Sequence, residues 1–194
     1  MFDCFKKDYS KPSRDYGSHG EGEPFTPKWG YVVPHTEKAQ GAEAPDGKWS
    51  EYKHGLSVAV TNSNFIPWDD RNNGGVSGAV SRLISDKKIN STWEDHRNAF
   101  DGRVGGAEVL CIRGDSLSKH YAEMILDAFH ETFPDRNIRG VKEMKKGGRG
   151  YGNLLASKKA GADVALLGEL FFIDNPKDFI EVEKIAKFLR RVLV

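Results

Sequence analysis

The segment from Val164 to Ile173 constrains the fold most, because it is almost continuously apolar. Such a run, without alternation of polar residues, is typical of a strand covered on both faces of a parallel sheet. One carboxylate, Glu169, interrupts it. Burying an ionised carboxylate there costs several kcal/mol unless a cation or hydrogen-bond donors meet it. Glu169 is therefore either a solvated residue at the end of the strand or a catalytic acid/base at the carboxyl edge of the sheet, and this segment alone does not decide between them.

Strand-like segments alternate with segments of helical spacing along the rest of the chain. This pattern predicts a single α/β domain built on a mostly parallel, twisted sheet flanked by helices. The predicted strands lie over residues 29–34, within 89–100, over 107–113 and around Glu169. The predicted helices lie over residues 50–63, 76–88 and 116–133 and from Asn175 onwards. The basic, Gly-rich residues 142–153 are predicted to form a mobile surface loop. Residues 1–28 are predicted to form an extended N-terminal arm, and residues 29–194 the catalytic domain.

Composition excludes several classes of protein. The chain has 194 residues, with 29 basic against 28 acidic side chains, so one domain is expected, with no general attraction to nucleic acid or to anionic membranes. Cys4 and Cys111 lie far apart in sequence and are expected to be free thiols. The N-terminus lacks an apolar core of signal-peptide length, and no stretch approaches transmembrane length. We therefore expect a cytoplasmic monomer without membrane insertion.

Two histidines and one carboxylate form a candidate metal site. His35 and His96 follow or end predicted strands, and Glu51 begins the helix after the first of these strands. Two imidazoles and a carboxylate suit Zn²⁺, and three protein ligands are typical of a catalytic zinc site. Glu169 could then take a proton from water and pass it to a leaving amine. Spacing alone leaves structural roles open, since Ser50 can cap the helix and the helix dipole favours a negative charge at Glu51.

Six short motifs occur in a characteristic order. They are His35 after a strand, EYKHGLSVA (51–59), HRNAF (96–100), GGAEVL (105–110), NIRGVK (137–142) and GELFFIDNP (168–176). This order resembles that of the zinc-dependent N-acetylmuramoyl-L-alanine amidases of the amidase-3 type, from about Trp29 to the C-terminus. These enzymes hydrolyse the amide between the lactyl group of muramic acid and the first alanine of the peptidoglycan stem peptide.

The resemblance implies specific roles. His35, Glu51 and His96 would bind Zn²⁺, and Glu169 would act first as a base and then as an acid on peptidoglycan. The absence of a signal peptide, wall-binding repeats and further domains suits a phage endolysin, which accumulates in the host cytoplasm and acts on the cell wall after release. Two alternatives stay open: a zinc peptidase that cuts the stem peptide, and a non-catalytic wall-binding phage protein on the same fold.

Several residues depart from the pattern of this family. Pro34-His35-Thr36 replaces a Gly-rich segment around the first ligand, which leaves Glu37 and Glu43 as alternatives to Glu51, although the E-x-x-x-x-L-x-V-A match favours Glu51. Glu94 replaces a small residue and adds a carboxylate near the predicted metal.

The remaining candidates carry weaker signals. Within residues 147–152, Arg149 and Tyr151 are candidates for substrate contact. His54 is expected on the helix surface, and we expect no ligand among the other histidines, which are His19, His120 and His130.

Overall fold

A five-stranded sheet organises the part of the chain that this computed structural model describes, namely residues 25–33, 35–61, 81–82, 84–86 and 88–193. Its strands are β1 (Trp29–Val32), β2 (Ser91–Asn98), β3 (Ala107–Ile112), β4 (Ile138–Met144) and β5 (Val164–Phe172). Their order is β1-β2-β5-β3-β4. β1, β2 and β5 run parallel to one another, whereas β3 and β4 run parallel to each other and antiparallel to β5. The prediction of a single α/β domain with a mostly parallel sheet is confirmed.

Helices cover both faces of the sheet. Their bounds are Glu51–Thr61 for α1, Ser116–Thr132 for α2, Tyr151–Lys159 for α3 and Val182–Val192 for α4. Helices α1, α2 and α4 pack on one face around the larger apolar core. Helix α3 covers the other face, where the smaller core cluster consists of Leu110, Leu154, Ala165 and Leu167. Within the described residues, no helix combines the length and apolarity needed to cross a bilayer.

β5 is buried over its whole length, as its apolar sequence predicts. Gly168 lets the strand pass close to Trp93 of β2, because a Cβ at this position would lie 2.0 Å from the indole ring. Glu169 follows immediately and shares its face of the sheet with Leu167 and with His96 of β2. The Glu169 carboxylate on the central strand β5 therefore lies on the face of the sheet that α3 covers.

The predicted signals at the helix ends are mostly confirmed. Ser50 Oγ accepts a hydrogen bond from Lys53 N at 3.2 Å, so it caps α1 as predicted. Helix α2 ends just before Pro134, also as predicted. The last helix starts later than predicted, at Val182, because the Asn175 side chain instead accepts from Lys177 N at 3.0 Å and holds a turn.

The prediction of a loop over residues 142–153 is wrong at both ends. Lys142 to Met144 complete β4, and Tyr151 to Asn153 begin α3. β4 is an edge strand whose side chains are all only partly buried, so it lacks the apolar alternation that identifies a strand.

Three other predictions fall wholly or partly outside the described residues. Of the predicted helix over 76–88, residues 81, 82, 84 and 85 are helical and most of the rest lies outside. Most of the predicted arm lies outside as well, although Phe25 packs its ring against Tyr121 at a centroid distance of 5.9 Å. Cys111 is a buried free thiol, as predicted, whereas Cys4 lies outside.

Candidate metal centre

His35, Glu51 and His96 come together as the sequence predicts. Each offers one ligand atom, and these atoms all lie within 4.8 Å of one another. Glu51 Oε2 is 2.9 Å from His35 Nε2, and Glu51 Oε1 is 3.3 Å from His96 Nδ1. The cluster forms because β1 and β2 are parallel neighbours whose carboxyl ends share one edge of the sheet. The alternatives Glu37 and Glu43 are exposed and do not belong to this cluster.

The backbone conformations of His35 and Gly41 allow the His35 ring to lie against Glu51. His35 has a positive φ of 63°, a conformation that is uncommon for a residue with a side chain and that marks local strain. Gly41, with φ of 78°, packs directly on the cluster. A Cβ at Gly41 would lie 2.3 Å from Glu51 Oε2 and 2.5 Å from the His35 ring, so only glycine fits there.

Glu51 is held as a carboxylate. Its Oε2 accepts a hydrogen bond from Ala42 N at 2.8 Å, and its Oε1 accepts one from Arg97 N at 3.0 Å. Burial raises the pKa of Glu51, but hydrogen bonds with His35 and His96 outweigh burial and bring the pKa well below its usual range. An anionic oxygen is therefore available for a cation at neutral pH.

His96 lies between two carboxylates. Its Nδ1 faces Glu51, and its Nε2 lies 2.9 Å from Glu94 Oε1. Asn153 of α3 donates to the same Glu94 oxygen at 2.6 Å, and the Glu94 residue is 5% exposed. Burial lowers the pKa of His96, but its hydrogen bonds with Glu51 and Glu94 outweigh burial and raise the pKa to about 10. Glu94 therefore fixes the orientation of the ring through the nitrogen that points away from Glu51.

A buried polar network supports the cluster from the opposite face of β2. Arg97 donates to Asp95 Oδ2 at 2.5 Å, and Tyr31 donates to the same oxygen. Arg97 Nε also donates to His54 Nδ1 at 3.2 Å, so His54 Nε2 donates to the carbonyl oxygen of Ile180 at 2.9 Å. His54 is 0% exposed, which corrects the prediction of a surface position. Burial and the nearby Arg97 charge lower the pKa of His54 to about 3, which keeps the ring neutral.

Glu169 lies next to the three candidate ligands. It is paired in register with His96 on β2 and with Glu108 on β3. It is 5% exposed, so the interpretation of a solvated strand end does not hold. Among the described residues, its buried Oε2 has no hydrogen-bond partner, and Arg149 Nη1 lies 3.6 Å from its Oε1. Burial raises the pKa of Glu169 to about 7, against the opposing effect of the Arg149 and His96 charges.

Sequence reasoning missed a second buried carboxylate, Glu108, beside Glu169. Glu108 is 2% exposed and binds two arginines: Arg139 Nε donates to its Oε2 at 3.0 Å, and Arg149 donates to its Oε1. The available signal was one charged residue within the otherwise apolar strand Ala107–Ile112. Arg149, by contrast, was among the predicted candidates and does lie beside the site.

Comparison with solved structures identifies the fold. No protein-family model matches the sequence, and no curated protein matches it significantly. The fold is similar to that of Cwp6 from Clostridium difficile, with a TM-score of 0.63 and 23% identity over 84% of this chain and 28% of that chain. It is similar to the catalytic domain of CwlV, an N-acetylmuramoyl-L-alanine amidase from Bacillus (Paenibacillus) polymyxa var. colistinus, with a TM-score of 0.60 and 18% identity over 85% of this chain and 94% of that chain.

A third similar structure is the catalytic domain of the CD27L endolysin that targets Clostridia difficile. Its TM-score is 0.59, with 23% identity over 86% of this chain and 96% of that chain. The chain thus spans only 28% of Cwp6 but nearly all of the two catalytic domains. These matches define the class of fold, a single α/β domain. More narrowly, it is the fold of N-acetylmuramoyl-L-alanine amidase catalytic domains, which confirms the fold that the motif resemblance implied.

Proposed function

We propose that this protein is a zinc-dependent hydrolase that cleaves the amide bond between N-acetylmuramic acid and L-alanine in peptidoglycan. In this proposal His35, Glu51 and His96 hold the metal, and Glu169 is the catalytic carboxylate. The observation that carries it is a buried carboxylate in register beside a cluster of three side chains that could bind a metal. One oxygen of this carboxylate has no hydrogen-bond partner among the described residues.

The donor set fits Zn²⁺. Two imidazoles and one carboxylate match the three-ligand composition of catalytic zinc sites. Glu51 is already anionic, whereas His96 must give up a proton, so metal binding is expected to release protons. Bound there, zinc would supply a Lewis acid that polarises the scissile carbonyl and lowers the pKa of water.

Glu169 can serve as both base and acid in one turnover. A carboxylate with a pKa near 7 is a stronger base than an ordinary one, so it would take a proton from water activated at the metal site and return it to the leaving amine. Burial in β5 keeps bulk water from competing for that proton. Arg149, at 3.6 Å, stabilises the ionised form before the proton is taken.

Glu94 acts as a positioning residue in this proposal. The Nδ1 atom of His96 faces Glu51, so a metal shared with Glu51 would use Nδ1 and leave Nε2–H to donate to Glu94. A carboxylate partner of this kind fixes the ring and raises its basicity as a ligand. Asn153 in turn fixes Glu94.

We further propose that the enzyme is a phage endolysin that lyses the host cell. Support comes from the fold shared with the CD27L endolysin catalytic domain over 96% of that chain.

Fragment analysis of digested peptidoglycan tests the proposed function. Purified peptidoglycan is incubated with the zinc-loaded protein, with and without a chelator, and the products are read by mass spectrometry. We expect free stem peptides that begin with alanine, no new reducing sugar, and no products under chelation. New ends within the peptide would instead identify a stem-peptide peptidase, and wall binding without any cleavage would identify a binding module.

A further inference from the structure

A cavity of about 530 Å³ is lined by several cationic side chains, one of which, Arg149, lies 3.6 Å from Glu169. We call it the cationic cleft. Its defining residues are Asn98, Glu108, Arg139, Lys142, Arg149 and Phe172. A cavity of this size lies within the range that holds small-molecule or peptide ligands.

The cleft carries more positive than negative charge. Arg139 and Arg149 share the single carboxylate of Glu108. Lys142 Nζ donates to the backbone carbonyl of Arg139 at 2.7 Å, and among the described residues no carboxylate forms an ion pair with it. Arg149 also lies 3.6 Å from Glu169, so three cations face two buried carboxylates and the cleft keeps a surplus of positive charge. A surplus of positive charge attracts an anionic ligand. The guanidinium group of an arginine can also donate two parallel hydrogen bonds to one carboxylate.

The order of the strands places this cleft on one side of Glu169 and the metal ligands on the other. His96 on β2, Glu169 on β5 and Glu108 on β3 occupy paired register positions across three adjacent strands. Arg139 and Lys142 lie on the next strand, β4. A substrate lying across the strands, with its scissile carbonyl at the metal ligands and its amide nitrogen at Glu169, would extend its amine side into the cleft.

We propose that the cationic cleft binds a carboxylate of an acidic peptide, namely the stem peptide on the amine side of the scissile bond. This inference rests on the proposed function for the direction of the substrate. The glycan side carries no free carboxylate once its lactyl group is in the amide, whereas the stem peptide retains carboxylates. An extended peptide advances about 3.3–3.6 Å per residue. Because Arg149 reaches to 3.6 Å from Glu169, the cleft begins within about one residue of the reacting bond.

A binding experiment tests the cleft without turnover. The probes are two dipeptides of L-alanine and D-glutamate, capped at the γ-carboxyl as a methylamide, with the α-carboxyl either free or amidated. We expect the zinc-loaded full chain to bind the free acid about tenfold more tightly, the size expected from one charge-assisted hydrogen bond. Lys142→Gln should abolish this preference, and Arg139→Gln should weaken it. Lys146→Gln is the matched control, since Lys146 is exposed and does not line the cleft.

Equal binding of the two dipeptides by the wild-type protein would overturn the inference, as would an unchanged preference in Lys142→Gln. Thermal melting of each variant shows that it is folded before its binding is interpreted.

The muramoyl conjugates of the same two dipeptides separate this inference from the proposed function. We expect the wild type to hydrolyse the acidic conjugate with a kcat/KM about tenfold higher than that of the amidated one, through a lower KM. If neither conjugate is hydrolysed but the protein still prefers the dipeptide with the free carboxyl, carboxylate binding by the cleft is supported and the proposed amidase function is contradicted. If both conjugates are hydrolysed equally and both dipeptides bind equally, the proposed function stands and the cleft does not select for a carboxylate.

Discussion

Glu169 and His96 occupy paired register positions on the adjacent parallel strands β5 and β2. The pairing places the proposed acid–base group beside a proposed metal ligand through backbone hydrogen bonding, with no contribution from flexible loops. Sites built on strands hold their groups in place more accurately than sites built on loops. The relative position of these two side chains is thus a property of the sheet itself.

Glu169→Gln should abolish most of the hydrolysis while preserving the metal site. Glutamine is close in shape but cannot accept and return a proton, so kcat should fall by a factor of about 10²–10⁴. Zinc content, measured by elemental analysis, should stay at the wild-type level because Glu169 is not one of the three clustered residues proposed as ligands. A near-normal rate in this variant would show that another group handles the proton.

Glu51→Gln should remove metal binding, and Glu43→Gln should not. Glu51 supplies the only carboxylate of the cluster, as far as the described residues show, whereas Glu43 is exposed. We expect the zinc affinity of Glu51→Gln to fall by more than the roughly 10–100-fold typical of losing an outer hydrogen-bond partner. Competition with a chromophoric chelator measures it. If Glu43→Gln lost zinc and Glu51→Gln kept it, the assignment of the acidic ligand would be wrong.

Glu94→Gln should weaken zinc binding without removing a ligand. The neutral amide is a poorer acceptor for His96 Nε2–H, and it must also satisfy Asn153. We expect a loss of affinity of about 10–100-fold, measured by the same chelator competition. Glu37→Gln, which changes an exposed carboxylate on the loop after His35, is the control. Equal affinities in the two variants would show that the Glu94 contact does not position His96.

The stability of the metal-free protein should depend on pH through Glu169. Burial raises the pKa of Glu169 to about 7 in the folded state, from an ordinary value of 4.5. The folded state therefore binds more protons than the unfolded state between these values, and the free energy of unfolding falls as pH rises through this window. Above pH 7, burial of the ionised Glu169 carboxylate lowers the free energy of unfolding by an amount on the order of 3 kcal/mol.

Glu169→Gln should remove this loss in the free energy of unfolding. Without metal, the variant should be more stable than the wild type at pH 8, and the difference should vanish below about pH 4.5. Urea unfolding with a chelator present, repeated across this pH range, measures both proteins. If the difference in free energy of unfolding between the two proteins does not change with pH, the conclusion that the Glu169 charge is buried would be contradicted.

The fold and the candidate metal cluster could be predicted where the sequence pattern is strong. The apolar run of β5 identified a buried central strand, and the segment 89–100 was correctly predicted to contain the strand that ends near His96. These patterns are reliable because the side-chain period of a strand is fixed at two residues. Prediction of the zinc ligands and of Glu169 depended on the motif resemblance, since spacing alone also allows structural roles.

The wrong predictions concern residues whose positions depend on contacts with residues distant in sequence rather than on the local sequence pattern. His54 lies on a helix of mixed polarity, and it is buried because Arg97 and the Ile180 carbonyl satisfy both of its ring nitrogens. β4 was missed because a partly exposed edge strand has no apolar alternation, and it forms by pairing with β3. The contact between Glu94 and Asn153 joins residues 59 positions apart, which no local signal reveals.

Zinc titration of the metal-stripped protein tests the central claim most directly. Hydrolysis of the muramoyl–alanine bond is followed in a defined muramoyl peptide while zinc is added to the full chain. We predict no hydrolysis without metal, recovery that levels off at one zinc ion per chain, and no recovery in His96→Ala. Full hydrolysis by the metal-stripped protein, or equal recovery in His96→Ala, would contradict the assignment of His35, Glu51 and His96 as the site of a catalytic metal.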